Sequence, residues 1–246
     1  MKKKLTASLL CLSLLLIMLL GSTLAWFTDE SGSVNTMTVG NVHIQQYQKD
    51  RANNDFDPNH PLFPVTSTAD SLVEIGGKNF AFLSTQYNAV DQIVTIKNTG
   101  VLSAYVRTVF AFEMLETTVM DNEGNPTTQW VNPIATGVVH LNVNGTLTFP
   151  SVEFDYNGVR YVVGVYTYTD ALVAGETTDP SLLQIYLDSN VGNEFYDQVG
   201  AKYDVLVLSQ AVQIQGFDSA ADAFTAAFPL TEANAARWFG TYAPTT

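Results

Sequence analysis

Residues 90–114 have the sequence VDQIVTIKNTGVLSAYVRTVFAFEM. Val90–Asn98 alternates apolar and polar side chains, Asn98-Thr99-Gly100 supplies turn residues, and Ala104–Leu115 is a long run rich in Val, Phe and Ala. Alternation with a period of two is typical of a strand with one buried face, whereas a longer apolar run indicates burial on both faces in part. The stretch therefore predicts two long neighbouring strands joined by a turn.

The same strand pattern recurs on both sides of this stretch. Further strands are predicted at Thr36–Gln46 (with a bulge at Gly40-Asn41), Val138–Val143, Val152–Tyr156, Val159–Thr169, Leu182–Leu187 and Tyr203–Ile214. Asn144-Gly145 and Asn157-Gly158 indicate tight turns between them, 121–126 indicates a hairpin tip, and the polar, proline-containing residues 49–64 indicate a long loop.

Only the end of the chain has a helical pattern. Ser219–Phe228 begins with a good N-cap residue and is rich in Ala, and Pro229 ends it. Thr231–Phe239 predicts a second short helix whose aromatic end can pack on a sheet. Many short strands with little helix predict an all-β fold, a jelly-roll-like two-sheet β-sandwich with an extended N-terminal strand and short C-terminal helices.

The first residues have the order of a secretory signal peptide. Three lysines precede an almost wholly apolar run, Leu5–Leu20, and the small residue Ala25 ends the segment. We therefore expect cleavage between Ala25 and Trp26, with an uncleaved membrane anchor as the alternative. The predicted organisation is a signal peptide over 1–25, an N-terminal segment over 26–48, and a sandwich domain over 49–246 that is helical from about 219.

Cysteine usage and charge exclude several classes of function. The only cysteine is Cys11, within the apolar run, so a mature chain would have neither disulfides nor thiol chemistry. Loss of three lysines with the signal would change the formal net charge from −13 to −16. Because such a surface repels phosphates, no nucleic-acid partner is expected. Membrane contact is expected only before cleavage, which places the protein outside the cell.

No residue pattern for catalysis or metal binding stands out. The three histidines, His43, His60 and His140, lie in no HExxH pair, and there is no GxSxG or phosphate-binding glycine loop. We therefore predict no catalytic residue, no cofactor and no metal, and hence no enzyme. The tyrosines of one predicted strand, Tyr161, Tyr166 and Tyr168, indicate either a carbohydrate-binding face or, preferably, cross-strand packing.

Several motifs along the chain together resemble the TasA–camelysin family of Gram-positive secreted proteins. They are AWFTD at 25–29, NTMTVGNV at 35–42, VTIKNTG at 94–100 followed by AYVR at 104–107, VAGETT at 173–178, with Ala174 where proline is usual, and QAVQIQGF at 210–217. The residues that carry these matches include Asn98, Gly100, Tyr105, Arg107, Gly175, Glu176 and Gln213. Residues 44–90 and 115–160 show no family pattern.

The resemblance implies a jelly-roll subunit of a biofilm-matrix or cell-surface filament, processed by a SipW-type signal peptidase. In fibre-forming members the segment after the cleavage site becomes a donor strand for the next subunit, so the partners would be copies of the chain or related subunits. The assembly residues implied here are Trp26, Phe27, Met37, Val39, Val42 and Ile44. Such a strand can pair with an open sheet edge, and head-to-tail insertion does not close.

Three alternatives to the filament remain at this stage. Thr36–Gln46 could pair within its own chain and give a monomer, since intramolecular pairing costs less entropy. A monomeric surface adhesin or carbohydrate-binding module is a second alternative. The third is a metallopeptidase, because camelysin-type relatives have been described as such, although no set of metal ligands is visible in the sequence.

Overall fold

The computed structural model describes residues 36–67, 70–193, 195, 197 and 202–240. The predicted signal peptide, its cleavage site after Ala25, and the assembly residues Trp26 and Phe27 lie outside these residues. Among the described residues, none of the helices combines the length and apolar character needed to cross a membrane.

Thirteen strands and two helices make up the regular structure of the described residues. The strands are β1 Thr36–Val39, β2 Ile44–Lys49, β3 Asp70–Ile75, β4 Lys78–Leu83, β5 Val90–Asn98, β6 Ala104–Glu113, β7 Leu115–Met120, β8 Pro126–Val131, β9 Val139–Val143, β10 Glu153–Tyr156, β11 Val159–Thr167, β12 Leu182–Leu187 and β13 Val205–Gln213. The helices are α1 Ala220–Ala227 and α2 Glu232–Gly240, and Thr85–Tyr87 forms a single 3₁₀ turn.

Two sheets form the sandwich that the sequence predicted. The five-stranded sheet has the order β1-β13-β6-β11-β10, and the four-stranded sheet has the order β2-β5-β12-β9. From β5 onward the chain crosses several times between the two sheets, with β5, β9 and β12 in the four-stranded sheet and β6, β10, β11 and β13 in the five-stranded one, as in a jelly-roll-like sandwich. Side chains from both sheets, including Phe110, Phe112 and Val207 from one and Val94 and Leu182 from the other, meet in the core between them.

The two helices cover the outer face of the five-stranded sheet. Ser219 caps α1, because its side chain accepts a hydrogen bond from the main-chain N–H of Asp222, as its position before the Ala-rich run predicted. Phe224 and Phe228 from α1 and Trp238 and Phe239 from α2 are buried against this face. The ring of Phe239 stacks on that of Phe154 in β10 at 5.4 Å. Both faces of the sheet are therefore covered.

Two hairpins are added to the sandwich. The β3–β4 hairpin packs over the outer face of the four-stranded sheet, where Phe82 lies against Ile93 and Leu183. The β7–β8 hairpin continues the line of β6 and has its tip at 121–125, as the sequence predicted. The β3–β4 hairpin was not predicted, although Val73 and Ile75 alternate with polar residues in one strand and Gly76-Gly77 forms its turn.

The structure corrects the first predicted strand. Thr36–Gln46 is not one bulged strand but the end of one sheet and the start of the other, since β1 joins the five-stranded sheet and β2 joins the four-stranded one. Gly40, with a φ of 91°, makes this change of sheet in a conformation that side-chain-bearing residues rarely adopt. Apolar alternation on its own cannot tell whether two halves of a run stay in one sheet.

Candidate functional site

Strand β1 is a parallel edge strand in a sheet whose other pairs are antiparallel. Thr36 lies beside Ser209 and Val39 beside Val212, so the described part of β1 pairs with the second half of β13. Met37 and Val39 pack against the helix-covered core, while the buried Thr38 faces the space between the sheets. The described part of the N-terminal segment is therefore paired within its own chain.

The crossover from β1 to β2 is anchored at several points. Val42 and Ile44 are buried in a cluster with Ile96, Ala104, Val106, Leu172 and Ala211. The carbonyl of His43 accepts hydrogen bonds from the main-chain N–H groups of Thr99 and Gly100 at 2.9 and 3.1 Å. A Cβ at Gly100 would lie 2.9 Å from the main-chain nitrogen of His43, so only glycine allows this approach.

The Asn98 side chain joins the turn after β5 to the loop before β12. Its Nδ2 donates to the carbonyls of Leu102 and Leu172 at 2.8 and 2.9 Å, and its Oδ1 accepts from the N–H of Gly100 at 3.0 Å. The residue is fully buried, so three hydrogen bonds satisfy a side chain that would be costly to bury without them.

The main chain of Asn98 pairs with the 173–178 loop. Asn98 N–H donates to the carbonyl of Glu176 at 2.9 Å, and Gly175 N–H donates to the carbonyl of Asn98 at 2.8 Å. Gly175 has a φ of 83°, which explains why a glycine suits this turn. The motif residues Asn98, Gly100, Gly175 and Glu176 thus form one cluster, which we call the crossover clamp, against the His43 main chain.

The remaining motif residues lie on β6 and β13. Gln213 lies opposite Ala104 at the end of β13, and its side chain fills the space beside Gly40. Arg107, 4% exposed, donates from Nε to Oε1 of Gln210 and from an Nη to the carbonyl of Phe228, both at 2.7 Å. Its guanidinium also lies 4.5 Å from the ring centroid of Phe224. Tyr105 packs partly buried against the helix-covered core.

Burial shifts the pKa of Arg107 to about 10, still above neutral pH, so the side chain remains charged there. The C-terminal end of α1 compensates this charge, because the carbonyl of Phe228 belongs to the residue that caps the helix. Arg107 therefore fixes α1 to the sheet, and it has no contact that points to catalysis.

The first half of β13 has an open edge. On the side away from β6, no described strand pairs with Val205–Leu208, since β1 begins only beside Ser209. A side chain partly covers this edge, because Nε2 of Gln46 donates to the carbonyl of Val207 at 3.4 Å. An unpaired edge of this kind is a template for the addition of another strand.

A cavity of about 600 Å³ lies against this open half. Its walls come from both sheets, from residues 202–206, and from the loop between β2 and β3; they include Phe56, Leu62, Val90, Gln92, Tyr161, Tyr203, Val205 and Leu206. Gln92 is 1% exposed, and none of the described residues donates a hydrogen bond to its Oε1. Asn59, His60, Asn157, Lys202 and Asp204 also line the cavity, which is therefore mixed in character and contains one buried acceptor that lacks a described donor.

Two carboxyl groups lie at the start of β13, beside this cavity. The main-chain N–H of Asp204 donates to Oε2 of Glu113 at 3.1 Å, and the hydroxyl of Tyr203 donates to the carbonyl of Glu113 at 2.8 Å. Burial, with a further contribution from the charge of Asp204, raises the pKa of Glu113 to about 7. Sequence analysis gave no signal for this group, because its shift arises from tertiary burial.

The other chemical candidates from the sequence are dispersed. His43, His60 and His140 lie apart, and His140 stacks on Tyr186 at 5.1 Å with Asp188 at 3.4 Å. In the part of the chain that the structure describes, no group of three His, Cys, Asp or Glu residues could hold a metal. Tyr166 and Tyr168 contact each other edge to face, and their hydroxyls donate to the carbonyls of Asn144 and Asp179.

Comparison with known proteins identifies no relative. No family model matches the chain, no curated protein matches it, and no solved structure matches it. Any functional conclusion therefore rests on the sequence motifs and on the geometry of the crossover clamp and the open half of β13.

Proposed function

We propose that this protein is a secreted subunit of an extracellular filament, in the biofilm matrix or on the cell surface. In it, the segment before Thr36 of one copy pairs with the open half of β13 in the next. The single observation that carries the proposal is the edge Val205–Leu208, which lacks a strand partner among the described residues and adjoins a cavity. The family resemblance of the motifs supports it, and no cofactor or nucleic acid is required.

The register of β1 defines how such a segment would pair. Since Thr36 lies beside Ser209 in a parallel pair, continuation of this register would place Val34 beside Val207 and Gly32 beside Val205. Val34 and Gly32 would face the space between the sheets, while Ser33, beside Leu206, would face the helix side. Four residues before Thr36 are enough to cover the open half.

The crossover clamp limits which residues can be exchanged. Val42 and Ile44 are buried, and the carbonyl of His43 holds two hydrogen bonds from the 99–100 turn, so residues 40–49 stay with their own sandwich. The proposed donor segment is therefore Trp26–Asn35, shorter than the predicted Trp26–Gln48. Met37, Val39, Val42 and Ile44 would serve as its attachment in their own subunit.

Insertion into a neighbour would build a filament, because a head-to-tail contact joins two different surfaces and leaves one of each free. Signal cleavage after Ala25 would free the donor end from the membrane. The competing arrangement is a monomer in which residues 32–35 fill the open half of their own β13. That arrangement avoids the entropy of association, so protein concentration should decide between the two.

The experiment is a cysteine pair in the mature chain, which has no native cysteine. Ser33→Cys and Leu206→Cys would lie side by side in the proposed register, within the Cα separation that a disulfide allows. We expect oxidation of assembled protein to give a ladder of covalent multimers in denaturing gels. Ser33→Cys with Lys78→Cys is the control, because Lys78 lies in the β3–β4 hairpin, away from β13.

Four results would contradict the proposal. A disulfide formed only within single chains would support the monomer. Filaments seen by electron microscopy after removal of residues 26–34 would show that the segment is not the donor. Chelator-sensitive cleavage of casein by the pure protein would favour the metallopeptidase, and glycan binding by a strict monomer would favour the adhesin.

A further inference from the structure

We infer that Gln92 determines what the cavity beside β13 accepts: its Oε1 takes a hydrogen bond from a main-chain N–H in the Ser31–Ser33 stretch of the inserted segment. This inference rests on the proposed function and specifies the chemistry of the same site. The ligand class is an extended, glycine-containing peptide, supplied by a neighbouring copy of the chain.

The position of Gln92 makes its oxygen available only to something within the cavity. Its side chain lies on the face of β5 that it shares with Val90 and Val94, toward the space between the sheets. Nε2 donates to Oε1 of Gln48 at 2.8 Å, so one half of the amide is satisfied. The other half, Oε1, has no described donor. A buried acceptor in this state is costly until a donor reaches it.

Three donors in the wall of the cavity are engaged elsewhere. The hydroxyl of Tyr203 donates to the carbonyl of Glu113 at 2.8 Å, and Nζ of Lys202 pairs with Asp204 at 3.7 Å. On the opposite side, Nδ1 of His60 lies 3.0 Å from the carbonyl of Pro61. None of these three groups donates to Gln92, so a group that enters the cavity can supply the missing donor.

Elsewhere in this protein, side-chain amides already pair with the main chain of strands. Gln184 accepts from the N–H of Leu83 at 2.7 Å and donates to its carbonyl at 2.9 Å. Asn142 donates to the carbonyl of Ala81 at 2.7 Å. On the open half of β13, Gln46 donates to the carbonyl of Val207. Gln92 is placed to do the same for a strand added beside β13.

The sequence of the donor segment fits this position. The continued register would put Gly32 beside Val205, which lines the cavity together with Gln92. Glycine has no side chain to hold the amide of Gln92 away from the main chain. The neighbouring serines are small as well, so the stretch Ser31-Gly32-Ser33 allows a close approach that a bulky residue would prevent.

The test uses a synthetic peptide of residues 26–35 as an inhibitor of filament growth by the mature protein. N-methylation of the peptide at 31, 32 or 33 removes one N–H at a time. Successive N–H groups of an extended strand point to opposite sides. We therefore expect the N–H of one of these residues to donate to Gln92 and the N–H groups of its neighbours to donate to β13. We expect loss of inhibitory potency of about five- to tenfold at the Gln92 position, the size of one net hydrogen bond.

The matched protein variant is Gln92→Met, which keeps the length of the side chain and removes the acceptor. Against this variant, N-methylation at one position should no longer reduce inhibitory potency, while N-methylation at the other positions should still reduce it. Thermal melting of the variant checks that its fold is intact. If each N-methylation reduced inhibitory potency equally against both proteins, the inference would be overturned, while the proposed filament would not be affected. Failure of the unmodified peptide to inhibit would instead overturn the proposed function.

Discussion

The side chain of Gln213 occupies the space that a Cβ on Gly40 would need, with Oε1 2.6 Å from the position of that atom. Both residues belong to motifs that lie more than 170 positions apart in the chain, and they meet where β1 leaves the five-stranded sheet. Gly40 also has a φ of 91°, so a side chain there would strain the main chain and displace the side chain of Gln213.

We predict that Gly40→Ala destabilises the fold by about 2 kcal/mol or more, from backbone strain and displacement of Gln213. Chemical denaturation measures this change. Gly124→Ala is the control for strain alone, because Gly124 has a φ of 82° and no atom near the added Cβ. Adding Gln213→Ala should recover part of the loss. If Gly40→Ala lowers the free energy of unfolding by no more than Gly124→Ala does, the contact with Gln213 does not contribute to the effect.

Replacement of Asn98 by Asp should open the crossover clamp. In the variant, a carboxylate oxygen would replace the Nδ2 group that donates to the carbonyls of Leu102 and Leu172, and the site is fully buried. We expect a loss of about 3 kcal/mol in the free energy of unfolding. Asn234→Asp is the control, because Asn234 also donates to a main-chain carbonyl but is exposed. Similar losses for both variants would contradict the role of burial at Asn98.

Substitution of Arg107 should loosen the attachment of α1 to the sheet. Arg107→Lys keeps the charge but loses the planar contact with Phe224 and one of the two hydrogen bonds to Gln210 and Phe228. We expect a loss of about 2 kcal/mol in the free energy of unfolding. The half-exposed pair of Arg160 with Glu153 offers the control, and Arg160→Lys should reduce the free energy of unfolding by less than about 1 kcal/mol. Equal losses would contradict this assignment.

The stability of the fold should fall as pH rises through the range in which Glu113 titrates. Its folded-state pKa of about 7 lies above the ordinary value of 4.5, so the folded protein holds this proton more tightly than the unfolded chain. The contribution is fully present below pH 4.5, declines as pH rises, and is lost above about 7. Because the group is only partly buried, we expect a loss of about 1–2 kcal/mol, smaller than the full shift implies.

Glu113→Gln should remove this part of the pH dependence, because the amide stays neutral and can still accept from the N–H of Asp204. Melting temperatures at pH 5 and pH 8 give the comparison. Glu153→Gln, on the edge strand β10, provides the matched control and should leave the pH profile unchanged. A wild-type profile that rises from pH 5 to pH 8, or an unchanged profile for Glu113→Gln, would contradict the prediction.

The sequence predicted the strands of the core well because they carry strong local signals. Val90–Asn98 and Leu182–Leu187 were placed with the bounds that the structure shows, and the Ser219 cap and the aromatic end of α2 were confirmed. The β3–β4 hairpin carried a weaker signal, because its alternating apolar residues are few and its strands are largely exposed. Local pattern also could not show that Gly40 changes sheets, because that depends on which strand is available as a partner.

The candidate site was predictable only in part. The motifs marked Asn98, Gly100, Gly175 and Glu176, which the structure brings into one clamp. They gave no indication that Val205–Leu208 lacks a strand partner among the described residues, which begin at Thr36. Gln92 and Glu113 were missed for the same reason: their significance comes from what surrounds them in three dimensions, and a glutamine or glutamate in a strand has no distinctive sequence signature.

The parallel pairing of β1 with β13 has a consequence for the order of folding. Met37 and Gln210, which touch across this pair, are 173 positions apart. Contacts between such distant residues form slowly, because the entropy cost of closing a long loop comes before any stabilisation from the contact. The first strand to be synthesised must therefore wait for the last one, and β1 should dock only when the rest of the sandwich has formed. Refolding followed by hydrogen exchange should show β1 as the last strand to gain protection.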